Sequence, residues 1–122
     1  MQLISKHVIN ETRFAVRTST GVYFFNFNEV TYCEAEGRYT HLHLKNGKII
    51  TVAKLLKDFE EKLPKDYFVR VHRSNIVNIK FITGVDLISK NHLIINNKNK
   101  IVISRRRKKI LNEILNKSIT YI

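Results

Sequence analysis

The stretch that decides the fold runs Phe68-Val69-Arg70-Val71-His72-Arg73-Ser74-Asn75-Ile76-Val77-Asn78. Valine, isoleucine and phenylalanine favour a pleated, half-buried backbone, so the apolar residues at its start predict a strand anchored in a core, with Arg70 pointing away. The polar residues 72–74 then fall at the end of that strand, where loop residues are exposed yet held in place by the scaffold. We therefore predict a rigid edge that presents cationic and hydrogen-bonding groups to phosphate.

The charge balance indicates a polyanionic partner. The 122 residues include 22 Lys plus Arg and 10 Asp plus Glu, which gives a formal net charge of +12. The excess is uneven, because residues 1–67 carry 10 basic and 8 acidic side chains, net +2, whereas residues 68–122 carry 12 and 2, net +10. A chain of this length fits one domain with its own core. We expect its anion-binding surface to come mostly from the C-terminal part of the sequence.

The cysteine content and hydropathy exclude several classes of protein. A single cysteine, Cys33, excludes an intrachain disulfide and any multi-cysteine zinc or iron–sulfur site. Its strand-like surroundings favour a small buried apolar role over a reactive thiol. No run approaches ~18 apolar residues, and the first dozen residues lack a signal-peptide layout, so we expect a cytoplasmic protein. Attachment of the basic C-terminal segment to a membrane is the alternative.

Alternating apolar residues and turn signals predict a chain of short strands. Besides the strand that starts at Phe68, the predicted strands are 14–17, 22–27, 30–33, 38–44, 48–51, 81–88, 92–95 and 100–103. Asn46-Gly47 lies between two of them and is the strongest hairpin signal in the sequence. No Pro/Gly/Ser-rich linker, repeat or low-complexity tract divides the chain. One mainly β unit accounts for residues 13–122, and residues 1–12 are an N-terminal extension or the remnant of a linker.

Two helices complete the prediction. In residues 52–63 the apolar residues recur at helical spacing, and Pro64 ends the helix because the residue before proline avoids the helical region. Ser104 is placed to cap a second helix over residues 105–117, since a serine hydroxyl accepts a hydrogen bond from the first free amides. The expected buried stripe of this helix consists of Ile110, Leu111, Ile114 and Leu115.

Several motifs occur in a fixed order along the chain. They are Glu34-Ala35 with Tyr39, Asn46-Gly47, the helix end from Leu56 to Pro64, Phe68-x-Arg70-x-His72-Arg73-Ser74-x-x-Val77-Asn78 followed by Ile82, and Ile101-x-Ile103-Ser104-Arg105-Arg106. In these residues the chain resembles, from Phe14 to Ile114, the LytTR-type (LytR/AlgR family) DNA-binding domain of bacterial response regulators. The resemblance implies an elongated sandwich of short antiparallel strands, with one internal helix and a C-terminal helix, that lays loops into successive grooves of duplex DNA without a recognition helix.

The same resemblance implies a function and its partners. It indicates a sequence-specific, double-stranded DNA-binding transcriptional regulator of a two-component system, which binds repeated half-sites as a dimer. The chain is too short for a receiver domain and lacks its N-terminal acidic cluster, so a receiver would belong to a longer protein. Target sequence, regulated genes and direction of regulation do not follow from these residues.

Individual site residues follow from the resemblance. The expected base readers are Arg38, with Tyr39 as the neighbouring possibility, Arg73 and Arg106. The expected phosphate contacts are Arg70, His72, Ser74, Arg105 and Lys108, while Arg107 and Lys109 face solvent. Arginine suits the first role because it can bond guanine O6 and N7 together, or enter a narrow minor groove. Phosphate contacts fix the register without reading sequence.

Some of these residues have structural alternatives. Arg70 could pair with a nearby carboxylate such as Glu34 or Glu36 instead of phosphate. His72 could be a structural histidine that bonds a backbone carbonyl. Asn78 is expected to stabilise the turn after its strand rather than touch DNA, since asparagine side chains readily bond local backbone.

Two other functional classes compare less well. An RNA-binding β module would share the charge, but RNA sites usually stack bases on exposed aromatics, and we expect most of Tyr23, Phe24, Phe25 and Phe27 to be buried. An enzyme is disfavoured because the sequence has no glycine-rich phosphate loop, no nucleophile with a matching base and no carboxylate pair in an apolar pocket. His41 and His43 share a strand face but lack a third ligand at metal-binding spacing. We therefore expect no catalysis, metal or cofactor.

Overall fold

The computed structural model describes residues 13–89 and 91–122, and it is mainly β. The strands are β1 (Arg13–Arg17), β2 (Val22–Asn26), β3 (Val30–Glu36), β4 (Tyr39–Leu44), β5 (Ile49–Val52), β6 (Phe68–His72), β7 (Asn75–Asn78), β8 (Ile82–Asp86), β9 (His92–Ile95) and β10 (Asn99–Val102). The helices are α1 (Leu56–Lys62) and α2 (Arg105–Ser118). The predicted fold class, with one internal and one C-terminal helix, is confirmed. The predicted extension 1–12 lies outside the described residues.

A five-stranded antiparallel sheet forms the centre of the fold, in the order β5-β4-β3-β7-β6. Because side chains alternate between the faces of a strand, this sheet contributes to two cores. Cys33 and Ile76 pack on one side with α1 and the β1–β2 hairpin. Tyr32 and Val77 pack on the other side with the β8–β10 sheet and α2. The domain is therefore layered on both faces of the central sheet.

The β4–β5 hairpin forms as its sequence predicts. Gly47 has a positive φ of 91°, a conformation that favours glycine, in the turn between the two strands. Thr40, Leu42 and Leu44 are buried on one face of β4, as the alternation indicates. Arg38 is not part of this strand; it lies in the tight turn before it.

The first helix starts later than predicted. Val52 is the last residue of β5, where it pairs with Thr40 and is almost fully buried, so it cannot begin the helix. α1 starts at Leu56 and stops before Leu63, whose amide donates to the Phe59 carbonyl at 2.8 Å. The end set by Pro64 is confirmed, and the start is wrong because apolar spacing does not separate a strand end from a first helical turn.

The second helix forms over the predicted residues, but its cap differs. Ser104 takes the extended N-cap conformation without a side-chain hydrogen bond to the helix. The Arg107 amide, which a serine cap would bind, donates instead to the Ser104 carbonyl at 3.2 Å. The Ser104 hydroxyl is buried without a partner among the described residues. Neither helix of the described part is long and apolar enough to cross a membrane.

Two buried residues behave as the sequence indicates. Asn78 is fully buried, and its Oδ1 accepts from the Lys80 amide at 3.0 Å, which confirms the predicted turn role. Its Nδ2 also donates to the carbonyls of Phe27 and Val30 at 3.0 and 2.9 Å. Cys33 is fully buried, and burial raises the pKa of its thiol to about 12. The prediction that Cys33 is buried in the core is confirmed.

Candidate nucleic-acid interface

Two basic turns lie side by side at one end of the central sheet. The turn after β3 holds Arg38, and the turn after β6 holds Arg73. β3 pairs with β7 so that Glu34 faces Asn75, and the Ala35 amide donates to the Ser74 carbonyl at 2.9 Å. Since β3 and β6 both finish at this end of the sheet, the turns that follow them are neighbours.

The start of α2 joins the same end. The Ser104 amide donates to the Val71 carbonyl at 2.8 Å, which fixes the helix N-terminus next to the end of β6. Arg105 and Arg106 follow directly. The structure also adds Lys54, because its carbonyl accepts from the buried Thr40 hydroxyl at 2.7 Å. We call this surface the basic end and define it by Arg38, Tyr39, Lys54, His72, Arg73, Ser74, Arg105 and Arg106.

The predicted base readers are exposed on the basic end. Arg38, Arg73 and Arg106 are exposed, as is Tyr39 with about half of its surface accessible. No carboxylate of residues 13–89 and 91–122 forms an ion pair with these three guanidinium groups. The three segments that meet at this end of the sheet therefore each carry one exposed arginine. Of the other basic residues of α2, Arg105 and Lys109 are exposed and Lys108 is half-buried.

Arg70 is engaged by protein groups. Its Nη1 donates to Glu60 Oε1 at 2.7 Å, its Nε to the His72 carbonyl at 3.0 Å and its Nη2 to the Arg73 carbonyl at 2.5 Å. A carboxylate partner was one of the two interpretations of this residue, but the partner is Glu60 on α1 rather than Glu34 or Glu36. The contacts show that Arg70 ties α1 to the turn that carries Arg73.

His72 accepts a hydrogen bond instead of donating one to a carbonyl. The Ser74 amide donates to His72 Nδ1 at 3.1 Å across the turn. A neutral imidazole has one donor and one acceptor nitrogen, so its proton resides on Nε2. His72 thus stabilises the turn through one nitrogen and keeps the other as a donor.

The carboxylates near Arg38 are paired with histidines. His41 Nε2 lies 2.6 Å from Glu36 Oε1, and His43 Nε2 lies 3.0 Å from Glu34 Oε1. His43 also stacks on the buried ring of Tyr32, with ring centroids 4.0 Å apart. Glu34 and Glu36 lie on the same face of the central sheet as Tyr32. Arg70 is opposite Ile76 and faces α1 on the other side, so these two carboxylates do not reach it. The pKa of Tyr32 is raised by its burial and by the Glu34 charge.

Arg107 does not face solvent, contrary to the prediction. Its side chain is only 22% exposed, and its Nη1 lies 3.7 Å from Glu60 Oε2. Burial lowers the pKa of its guanidinium, the Glu60 charge opposes this, and the charges of Arg70 and Arg106 add to it. The prediction failed because the facing of a helical residue depends on the element packed against it, here α1. Glu60 itself gave no signal in the sequence.

Two of the four aromatic residues between Tyr23 and Phe27 are buried, and the other two are exposed. Phe25 and Phe27 belong to the core, whereas Tyr23 and Phe24 are 45% and 63% exposed. The guanidinium of Arg13 lies over the Phe24 ring at 5.4 Å. The expectation that most of these rings are buried is therefore wrong. Phe24 lies on the outer face of the two-stranded sheet, and Tyr23 lies at the start of β2 beside the hairpin turn.

Comparisons with known proteins agree on one family. The model of the LytTr DNA-binding domain matches residues 20–116. Among solved structures, the chain is similar to the LytTr DNA-binding domain of a Bacillus cereus protein assigned as a methyl-accepting/DNA response regulator. The two share 29% identity over 86% of this chain and 97% of the other, with a TM-score of 0.71. A comparison with curated proteins gave no match.

Proposed function

Since the chain belongs to the LytTR family of DNA-binding domains, we propose that it binds double-stranded DNA sequence-specifically as a bacterial transcriptional regulator and reads successive grooves through its basic end. The observation that carries the proposal is the placement of three exposed arginines on three segments at one end of a stiff sheet. Turns held by such a scaffold keep a fixed separation, which a periodic duplex requires. We propose no catalytic activity and no metal or cofactor.

The base readers in this proposal are Arg38, Arg73 and Arg106. Each is exposed, and a guanidinium can donate two parallel hydrogen bonds to guanine in the major groove. Tyr39 is adjacent to Arg38 and sufficiently exposed to replace or assist it. Arg73 lies on the middle segment, where either guanine recognition or insertion into a narrow minor groove fits its chemistry.

Phosphate contacts are assigned to His72, Ser74, Arg105 and Lys108. The first two lie on the same turn as Arg73, with the His72 Nε2 donor free of the turn's own hydrogen bond. Arg105 is exposed at the start of α2, where the helix dipole also favours phosphate. Arg70 uses three of its five N–H groups within the protein. We assign to it the support of the turn, with phosphate contact as a lesser role.

The unit that binds is proposed to be residues 13–122. Two copies bind repeated half-sites, since the response-regulator context of the family suggests paired recognition. A receiver domain in a longer protein would control them. We propose a cytoplasmic location, because the bacterial chromosome lies there.

Loss of a base reader should reduce specificity. Arg73→Ala and Arg106→Ala are each expected to weaken binding to the best duplex by about 5- to 150-fold, because a good base contact discriminates by about 1–3 kcal/mol. Binding to a scrambled duplex should fall much less. Fluorescence anisotropy on both duplexes measures the ratio. Equal losses on both duplexes would show that these arginines only attract phosphate.

Lys108→Ala provides the matched comparison on the same helix. A phosphate contact reads no sequence, so affinity for the best and the scrambled duplex should fall together. The slope of log affinity against log salt should shrink by about one. A loss confined to the best duplex would instead assign Lys108 to base recognition.

Selection from a random duplex pool tests the function itself. We expect an enriched motif with two similar half-sites, which reports specificity, spacing and stoichiometry together. Competition with RNA of equal length then tests the RNA-binding alternative, which the exposed rings of Tyr23 and Phe24 keep relevant. Failure to enrich any duplex, or preference for RNA, would refute the proposed function.

A further inference from the structure

One carboxylate on α1 connects two parts of the basic end. Glu60 Oε1 lies 2.7 Å from Arg70 Nη1, and Glu60 Oε2 lies 3.7 Å from Arg107 Nη1. Each oxygen thus faces a different arginine, one from β6 and one from α2. The three side chains line the same groove between the two helices and β6.

Each of these two arginines contacts or adjoins a segment that carries a proposed base reader. Arg70 donates to the carbonyls of His72 and Arg73, so its position fixes the backbone that carries Arg73. Arg107 follows Arg106 at the start of α2, where the Ser104 amide is bound to Val71. A continuous set of contacts therefore joins the Arg73 turn to the Arg106 segment through Glu60.

The like charges of Arg70 and Arg107 require this carboxylate between them. Their side chains are only 14% and 22% exposed, so water screens their repulsion incompletely. Removal of the Glu60 charge would leave two partly buried cations facing one groove. We expect the Arg73 turn and α2 to move apart, because that movement reduces the repulsion.

We propose that Glu60 is a positioning residue that sets the separation of Arg73 and Arg106 and thereby contributes to sequence specificity. The inference rests on the proposed function, since it assigns a specificity role to a residue that touches no DNA. It predicts that loss of the Glu60 charge weakens specific binding, although removal of a negative charge near DNA would ordinarily strengthen binding.

Glu60→Gln separates the two effects because they have opposite signs. We expect the preference for the best over a scrambled duplex to fall about tenfold, as for the weakening of one base contact. Affinity for the scrambled duplex should stay constant or rise by up to about threefold, since the net charge increases from +12 to +13. Anisotropy titrations on both duplexes measure the ratio. An unchanged preference would overturn the proposal.

Glu61→Gln is the matched control. Glu61 is the next residue of α1, is exposed and has no ion-pair partner among the described residues, so its change alters the charge equally without breaking the connection. Its preference should equal that of the wild type. Equal losses in both variants would assign the effect to charge alone and overturn the proposal.

Arg107→Gln tests the connection from the other side. Because Arg107→Gln removes one of the two like charges, we expect it to lose less preference than Glu60→Gln. The double variant should recover part of what Glu60→Gln loses, since neighbours in one network are not additive. Additive losses would contradict a shared role. Melting temperatures are recorded throughout, and a Glu60→Gln protein that melts earlier yet keeps its preference would reduce Glu60 to a stabilising residue.

A second variant covers the case in which Glu60→Gln does not fold. Glu60→Asp keeps the charge but is one methylene shorter, so it cannot span both arginines, and an intermediate loss of preference is expected. Full preference in Glu60→Asp would overturn the proposal. The wild type distinguishes failure of the proposed function from failure of the Glu60 role. If the wild type shows no preference for the best over the scrambled duplex, the proposed function is refuted. If every variant keeps that preference, only the role of Glu60 is refuted.

Discussion

An increase in monovalent salt from about 50 to about 200 mM is expected to weaken binding to the best duplex about a thousandfold. If the basic end neutralises about six phosphates, about 0.9 counterions per contact are released, and log affinity falls against log salt with a slope near −5. The net charge of +12 and the exposed arginines of the basic end make electrostatics the main source of affinity. Anisotropy titrations at four or more salt concentrations give the slope.

A lysine at the opposite end of the sheet controls for overall charge. Lys45 follows β4 at the end away from Arg38, so Lys45→Ala should leave the slope unchanged, whereas Lys108→Ala should lower its magnitude by about one. A nearly flat titration would contradict phosphate-driven binding. Equal changes in both variants would show that charge acts without a defined surface.

Asn78→Ala is expected to lower the free energy of unfolding by about 3 kcal/mol. Its amide is fully buried and serves three backbone groups, the carbonyls of Phe27 and Val30 and the amide of Lys80. Each buried group left without a partner costs about 1–3 kcal/mol, and the deleted side chain also leaves a cavity. The bonds to Phe27 and Val30 join the end of β7 to the turn before β3 and to the first residue of β3. Urea denaturation measures the loss.

Two variants identify the cause of that loss. Asn78→Asp keeps the shape but replaces the amide N–H groups by an oxygen that faces two carbonyls, so it should destabilise the domain at least as much. Asn112→Ala, on the exposed side of α2, should change stability by less than about 0.5 kcal/mol. If Asn78→Asp were neutral, the volume of the side chain rather than its donors would be what matters.

Local patterns predicted those parts of the fold that local interactions determine. Asn46-Gly47 located the β4–β5 turn, since few residues tolerate the positive φ found at Gly47. The alternation along β4 identified its buried face. Pro64 marked the end of α1, because its ring restricts the residue before it. In each case the physical cause lies within a few residues of the signal.

The sequence patterns did not predict contacts between elements that are distant along the chain. Glu60 meets Arg70 only because α1 packs beside β6, and the same packing buries Arg107. The sequence distance between these residues carries no periodic signal. The start of α1 was misplaced because Val52 satisfies a helical pattern and a strand end equally well.

The composition of the candidate site was predicted largely through the family resemblance. Charge asymmetry alone indicates the C-terminal part of the sequence, yet Arg38 belongs to the other part and joins the basic end only through β3–β7 pairing. Lys54 was missed for the same reason, as its place depends on the contact of its carbonyl with Thr40. Their roles toward DNA remain predictions for the variants described above.

The burial of Cys33 has a practical consequence for single-molecule work. Thiolate is the species that reacts with maleimides, and a thiol with a pKa of about 12 inside the core offers almost none at neutral pH. A cysteine introduced as Lys48→Cys, in the exposed turn before β5, would be the one reactive thiol of the folded chain. A dye or biotin coupled there would orient every immobilised molecule with its arginines toward the solution.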